Sequence, residues 1–425
     1  MNRIFKACVI LSAAMPVWAQ QAELRLNPEL GVETAVSHIA DLSAYPFIDA
    51  SRNHVIMNDA DWTHLRARFS GADTACVRIL HIGDSHIQAE GSTSRVRYHL
   101  QQLYGGAGRG LIAPLRLAGT NAPSDYVIRS NTPMKSSRLL KMPRAIETGF
   151  SGVSVAPATG SEYDISVSCG DSFDCIRIYT TGAASPELLS VSPDVSAAYL
   201  SPAPGVADVL LTQPETTLTL HLKGAAPLTA IELLRGDSGV EYSAIGNNGA
   251  TYSSYNALPE FASAAARLNP DLIIVSLGTN EAFGRVSSDD MRMHIHTLVS
   301  DLRRHNPHAS ILLTTPQECY RRTYTRRKGR RRRTRTYTVN PNIERIRTAI
   351  MEYGASENIP VYDWYAISGG GGTASKWVSS RLMNTDRIHL TWDGYHLMGD
   401  MFADALVREI LSQSQSDSND SSESD

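Results

Sequence analysis

Four apolar runs rich in β-branched residues constrain this chain most: VRILHIG (77–83), DLIIVSLG (271–278), ILLTTP (311–316) and IPVYDWY (359–365). Each is short and evenly apolar and runs into a turn or helix, as a strand buried on both faces of a parallel sheet does. Between them the apolar spacing changes to the helical period. Val96, Leu100 and Leu103 share one face after the first run, and Met291, Ile295, Leu298, Val299 and Leu302 do so near 288–305. Further helices are expected near 341–355 and from Trp392 to Leu411. Strand and helix in alternation predict a doubly wound α/β domain around a parallel sheet.

Residues 118–235 break this pattern. They are rich in Ser, Thr, Ala, Pro and Gly, and carry short alternating runs such as SEYDISVS, CIRIYTT and TTLTLHLK with no helical period. An all-β module inserted into one discontinuous α/β domain (20–117 and 236–411) is the expectation, because the α/β pattern resumes afterwards. With 42% hydrophobic and 20% charged residues, the composition is that of an ordinary soluble globular protein.

The N-terminus has the plan of a cleaved signal peptide over 1–19: Arg3 and Lys6, an apolar run to Val17, and a small residue at Ala19. Export to a bacterial periplasm or beyond is therefore expected. Four cysteines remain after it: Cys76, Cys169, Cys175 and Cys319. Cys169 and Cys175 have a spacing that a disulfide could close across a hairpin in an oxidising compartment. No Cys/His cluster has zinc-site spacing, so neither a metal nor a cofactor is expected. The net charge of −3 hides a strongly basic run at 321–337 and a polar, acidic tail at 412–425 expected to be disordered. GGGG at 369–372 reads as a flexible linker or as the hinge of a loop over the site.

Gly-Asp-Ser occurs at 83–85, 170–172 and 236–238. Such tripeptides are ordinarily turns. Only Ser85 follows a predicted parallel strand, and active sites of open parallel sheets lie outside the carboxyl ends of their strands. A serine nucleophile needs a base, a group orienting that base, and donors for the oxyanion. DRIHL supplies Asp386 and His389 just before the last helix, SLGTNE places Asn280 after a strand, and GNNGATY places Gly249 after another. Gly246 lies in a similar turn and competes with Gly249. Asp393-Gly-Tyr-His396 is a second Asp-x-x-His, but His396 falls on the predicted helix, where a packing or surface role is expected.

In this order the blocks HIGDSH, NNGAT, GTNE and DRIHL resemble the SGNH branch of the GDSL hydrolase superfamily over about residues 76–117 and 240–411. The resemblance implies a flavodoxin-like three-layer α/β/α domain. It also implies a serine esterase in which Ser85 is the nucleophile, His389 the base and Asp386 its orienter. Ser85, Gly249 and Asn280 would form the oxyanion hole. No G-x-S-x-G is present, which argues against an α/β-hydrolase elbow.

HIGDSHIQAE, the β-rich insert and the exported start together look most like bacterial peptidoglycan O-acetylesterases, in which the insert resembles a carbohydrate-binding module. That implies removal of acetyl from the C6 hydroxyl of N-acetylmuramic acid, with O-acetylated peptidoglycan or another acetylated glycan as partner. The same site serves an O-acetyltransferase, a lipase, a lysophospholipase or a thioesterase; a glycan-binding module with a decayed site is a further alternative. The basic run is either a solvated loop or, near the active-site edge of the sheet, a contact for anionic wall polymers, peptide-stem carboxylates or lipid headgroups. No nucleic-acid partner is expected.

Overall fold

The computed structural model describes residues 42–325 and 334–412. The leader expected over 1–19, the middle of the basic run at 326–333 and the tail from 413 lie outside the described residues. After helix α1 (Thr63–Ser70), strand β1 (Cys76–Gly83) leads into α2 (Ser85–Gln88) and α3 (Gly91–Tyr104). The next strands are β2 (Gly108–Ile112), β3 (Tyr126–Arg129), β4 (Met134–Arg138), β5 (Val153–Pro157) and the long β6 (Glu162–Thr180). Then come β7 (Glu187–Ser192), β8 (Ala197–Ala203), the long β9 (Val206–Lys223) and β10 (Leu228–Leu234).

The chain returns with β11 (Gly239–Gly246), α4 (Tyr252–Asn256), α5 (Phe261–Ala265), β12 (Leu272–Ser276), α6 (Ser288–His305) and β13 (Ser310–Thr314). An antiparallel pair, β14 (Tyr320–Thr325) with β15 (Thr334–Val339), precedes α7 (Asn342–Ser356) and β16 (Val361–Tyr362). Two short helices, α8 (Trp364–Ile367) and α9 (Ala374–Ser379), lead to the last, α10 (Trp392–Leu411).

Five parallel strands stand in the spatial order β11-β1-β12-β13-β16. Counted along the chain this is the flavodoxin-like order 2-1-3-4-5, whose switch point lies between β1 and β12. Side chains alternate across the sheet with period two. Val77 and Ile79 of β1, with Leu272 and Ile274 of β12, face the core shared with α3 and α10. Leu80 and Ile82, with Ile273 and Val275, face the core shared with α6 and α7. Both faces are therefore covered, giving three layers. In α10, Met401, Phe402 and Leu406 are buried, each contributing about 1.5–3 kcal/mol.

Helices α3 and α10 matter for the site because one starts just after Ser85 and the other just after His389. They approach closely at Gly399, where a Cβ would lie 2.3 Å from Ser92 O. Any side chain there would push the two helices apart.

The insert is an antiparallel nine-stranded sheet with its own apolar core, which includes Ile165, Val167 and Ile176 of β6, Leu218 of β9 and Ile231 of β10. Two expectations need correction. First, β2 pairs with β10, so the antiparallel sheet starts at Gly108 rather than at 118. Second, Cys169 and Cys175 do not flank a hairpin; all four described cysteines are free thiols. Strand β6 runs on through both, with Gly170-Asp171-Ser172 as a bulge, exposed at Gly170 and Asp171, between the pairs Ser168–Thr217 and Phe173–Glu215. Cys169 faces Tyr126 of β3, whereas Cys175 faces Leu234 and Leu210. A strand advancing ~3.3 Å per residue does not bring such residues within disulfide reach.

Candidate active site

The carboxyl ends of β1, β11 and β12 deliver three loops to one place, and the turn before α10 delivers a fourth. Asp84 ends the first loop and caps α2: its Oδ1 accepts from His86 N–H at 2.9 Å. Ser85 is thus the first residue of a short helix, with its N–H making no hydrogen bond among the described residues. Its Oγ lies 2.8 Å from His389 Nε2.

The histidine is held from behind. Asp386 Oδ2 is 2.7 Å from His389 Nδ1, while Asp386 Oδ1 accepts the N–H groups of Ile388 (3.0 Å) and His389 (3.1 Å). The carboxylate therefore shapes its own turn and fixes the imidazole together. Burial opposes its ionisation, yet the bonds from His389 and the two backbone N–H groups win and bring its pKa down to about 2. The hydrogen bond that His389 donates to Asp386, with the charge of that carboxylate and of Asp84, raises the His389 pKa against the effect of burial. With Nδ1–H directed at the carboxylate, Nε2 presents its lone pair to Ser85.

The two competing glycines have different surroundings. Gly246 ends β11 against α2, and a Cβ there would lie 2.1 Å from Gln88 N, so it is a close-packing glycine. Gly249 sits in the turn at φ +82°, and its N–H makes no hydrogen bond among the described residues. The turn is braced: Asn248 N–H donates to Gln88 Oε1 (2.7 Å), and Tyr252 N–H donates to Glu281 Oε1 (2.7 Å).

Asn280 is placed beside these groups, but its amide hydrogens are engaged. Nδ2 donates to Asp84 Oδ2 (3.1 Å) and to Ala250 O (2.9 Å). Burial raises the Asp84 pKa to about 7, against the hydrogen bonds from His86 N–H and Asn280 that lower it. Glu281 is likewise pushed up to about 7 by burial.

His396, the rival histidine, lies on α10 with its ring 4.6 Å from that of Trp392. The third Gly-Asp-Ser, at 236–238, forms the turn between β10 and β11, with Gly236 N–H donating to Asp174 Oδ2 (3.1 Å). Sequence reasoning passed over His86. Its Nδ1 is 2.9 Å from Tyr395 Oη and its ring 5.2 Å from that of His389. Burial and the neighbouring His389 drive the His86 pKa down to about 3, leaving a neutral ring against the base. Adjacency to Ser85 was the available signal.

Described ends of the basic run form the β14–β15 pair, which reaches the catalytic turn. Tyr320 N–H donates to Arg387 O (2.9 Å), and the Arg387 guanidinium lies over Tyr320 (5.0 Å) and Tyr337 (4.5 Å). Arg387 itself takes a positive φ of 63° between Asp386 and His389.

Residues 225–397 match the GDSL-like Lipase/Acylhydrolase family. The match takes in Gly249, Asn280, Asp386 and His389 but starts within the insert, just before β10, leaving Ser85 outside it. No curated protein sequence gives a significant match. Among solved structures, a peptidoglycan O-acetylesterase is similar at TM-score 0.69 and 20% identity, over 86% of this chain and 98% of that one. A lipase/acylhydrolase from Enterococcus faecalis is similar at TM-score 0.29 and 21% identity, over 41% of this chain and 78% of its own. An acetyl xylan esterase gives 0.31 and 15%, over 39% and 81%. The fold is that of the peptidoglycan O-acetylesterase, and the family match supports a carboxylic ester hydrolase.

Proposed function

We propose that this protein is a serine esterase that removes O-acetyl groups from peptidoglycan, at the C6 hydroxyl of N-acetylmuramic acid. The observation that carries the reading is the Ser85 Oγ–His389 Nε2 contact of 2.8 Å, with His389 Nδ1 held 2.7 Å from Asp386. His389 takes the hydroxyl proton as Ser85 Oγ bonds to the acetyl carbonyl carbon. The carbonyl oxygen becomes an oxyanion facing the N–H groups of Ser85 and Gly249 and the Asn280 amide. His389 returns the proton to the departing sugar oxygen as the ester C–O bond breaks. Water, deprotonated by the same histidine, then attacks the acetyl-enzyme and releases acetate and free Ser85.

The substrate class is supported by the likeness to a peptidoglycan O-acetylesterase over most of both chains. A cleaved leader over 1–19 would deliver the enzyme to the periplasm, where the substrate lies.

The test is acetate release from O-acetylated peptidoglycan by the parent and Ser85→Ala, with long-chain p-nitrophenyl esters in parallel. Release by the parent alone is expected. Brisk cleavage of long-chain esters without acetate release would overturn the substrate, and an active Ser85→Ala would overturn the mechanism.

A further inference from the structure

The triad and the oxyanion donors do not account for a cleft of about 290 Å³ between the two domains. Gln88 and Asn248 line it from the parallel-sheet domain, and Thr120 and the turn 138–141 line it from the insert. It adjoins the oxyanion loop: Leu140 Cδ1 lies 3.1 Å from where a Cβ on Gly249 would sit. The floor is fixed by a polar brace across the domains. Gln88 Nε2 donates to Asn121 O (2.7 Å), Gln88 Oε1 accepts from Asn248 N–H (2.7 Å), and Asn248 Nδ2 donates to Asn121 Oδ1 (2.6 Å).

The cleft has one sign of charge. Arg138 and Lys141 line it, and among the described residues no carboxylate does. Arg138 gives one donor to Gly119 O (3.1 Å), while Lys141 is exposed. Among the described residues no aromatic ring lines the cleft either, so a neutral sugar would find no face to stack on. A walled site carrying two cations concentrates anions.

We propose that this cleft is a substrate subsite for a carboxylate on the acetylated glycan, with Arg138 and Lys141 meeting its charge next to the reacting ester. On this view the insert selects the substrate at the site itself. The proposal rests on the peptidoglycan reading above. Peptidoglycan offers carboxylates from two sources: the peptide stem, and the lactyl group once an amidase has removed the stem.

The experiment compares the parent, Lys141→Gln and Arg138→Gln/Lys141→Gln on four substrates. These are O-acetylated peptidoglycan fragments with stems, the same glycan stripped of stems, a neutral acetylated xylan, and p-nitrophenyl acetate. The double variant is expected to lose on the order of tenfold in kcat/KM on an acidic glycan, as removal of charged hydrogen-bonding groups does. Its rate on xylan and p-nitrophenyl acetate stays at the parent's level. Parent selectivity for the acidic glycan falls with added salt, since exposed cations are screened. Loss only with stems assigns the stem carboxylate, and loss on the stripped glycan assigns the lactyl group. An unchanged rate on both acidic glycans, or an equal loss on p-nitrophenyl acetate, overturns the subsite while leaving the esterase reading intact. A parent inactive on peptidoglycan overturns both.

Discussion

Asp386→Asn probes the site most directly, because asparagine keeps the shape of the turn and changes one hydrogen bond. Its Oδ1 still accepts the N–H groups of Ile388 and His389, now at 3.0 and 3.1 Å, so the loop remains folded. The amide nitrogen, however, replaces the carboxylate oxygen 2.7 Å from His389 Nδ1. It donates there, which forces the proton onto Nε2 and points it at Ser85 Oγ, so the base can no longer accept. In a serine protease triad this exchange costs ~10⁴-fold in kcat. Here the His389 and Asp386 side chains are 36% and 44% exposed, so water competes for both groups. The expected loss is therefore smaller, about 10²–10³-fold, or roughly 3–4 kcal/mol of transition-state stabilisation.

The pH profile supplies an independent reading. Activity on the acidic side requires neutral His389, whose pKa is raised mainly by Asp386 and lowered by burial. Removing the carboxylate leaves burial in command, so the acidic limb of kcat/KM for p-nitrophenyl acetate moves to lower pH as the plateau falls. A plateau within tenfold of the parent, or an acidic limb that stays or moves upward, would refute the assigned role of Asp386.

Gly246→Ala should destabilise far more than Gly249→Ala. The first puts a Cβ 2.1 Å from backbone at Gln88, whereas the second meets only Leu140 Cδ1 at 3.1 Å and loses ~1–2 kcal/mol to its positive φ, a difference that denaturant unfolding would measure. Glu232 of β10 is buried, accepts from Tyr179 Oη at 2.6 Å and has its pKa raised by burial and then by Glu241. A raised folded pKa makes stability fall as pH climbs above the ordinary glutamate range near 4.5, and Glu232→Gln should flatten that decline in urea unfolding at pH 5 and pH 8. A reductant should leave the melting temperature unchanged, because Cys169 and Cys175 are free; a drop of several degrees would restore the disulfide.

The parallel sheet was readable because strands buried on both faces must be continuously apolar, and four of its five members are such runs. The three side chains that the structure joins, Ser85, His389 and Asp386, were legible for a related reason: Ser85 lies just beyond β1, and Asp386 and His389 lie in the turn leading to α10. The β2 boundary was not, since Gly108–Ile112 is committed to the insert by pairing with β10, more than a hundred residues later. The cysteine hairpin was misread because Gly-Asp-Ser carries the same local signal in a bulge as in a turn. What distinguishes them is β9, whose Leu218 and Leu210 flank two register shifts across which β6 keeps running. The turn at Leu140 had no signal at all; an exposed leucine between cations acquires meaning only once Gly249 is beside it.

The contact between Ser85 and His389 joins residues 304 positions apart. Apart from β1, every strand of both sheets lies between them in sequence, and α10, which carries His389 into place against α3, is the last helix made. Chain-closure entropy over such a span is met only after most of the core has formed. On the proposed mechanism catalytic competence is therefore a late event: a nascent or half-folded chain has Ser85 but not yet His389 beside it, and cannot cleave esters until the two meet. Regain of activity on refolding should lag behind burial of Trp62 and Trp364, so esterase turnover reports completion of the fold rather than its beginning.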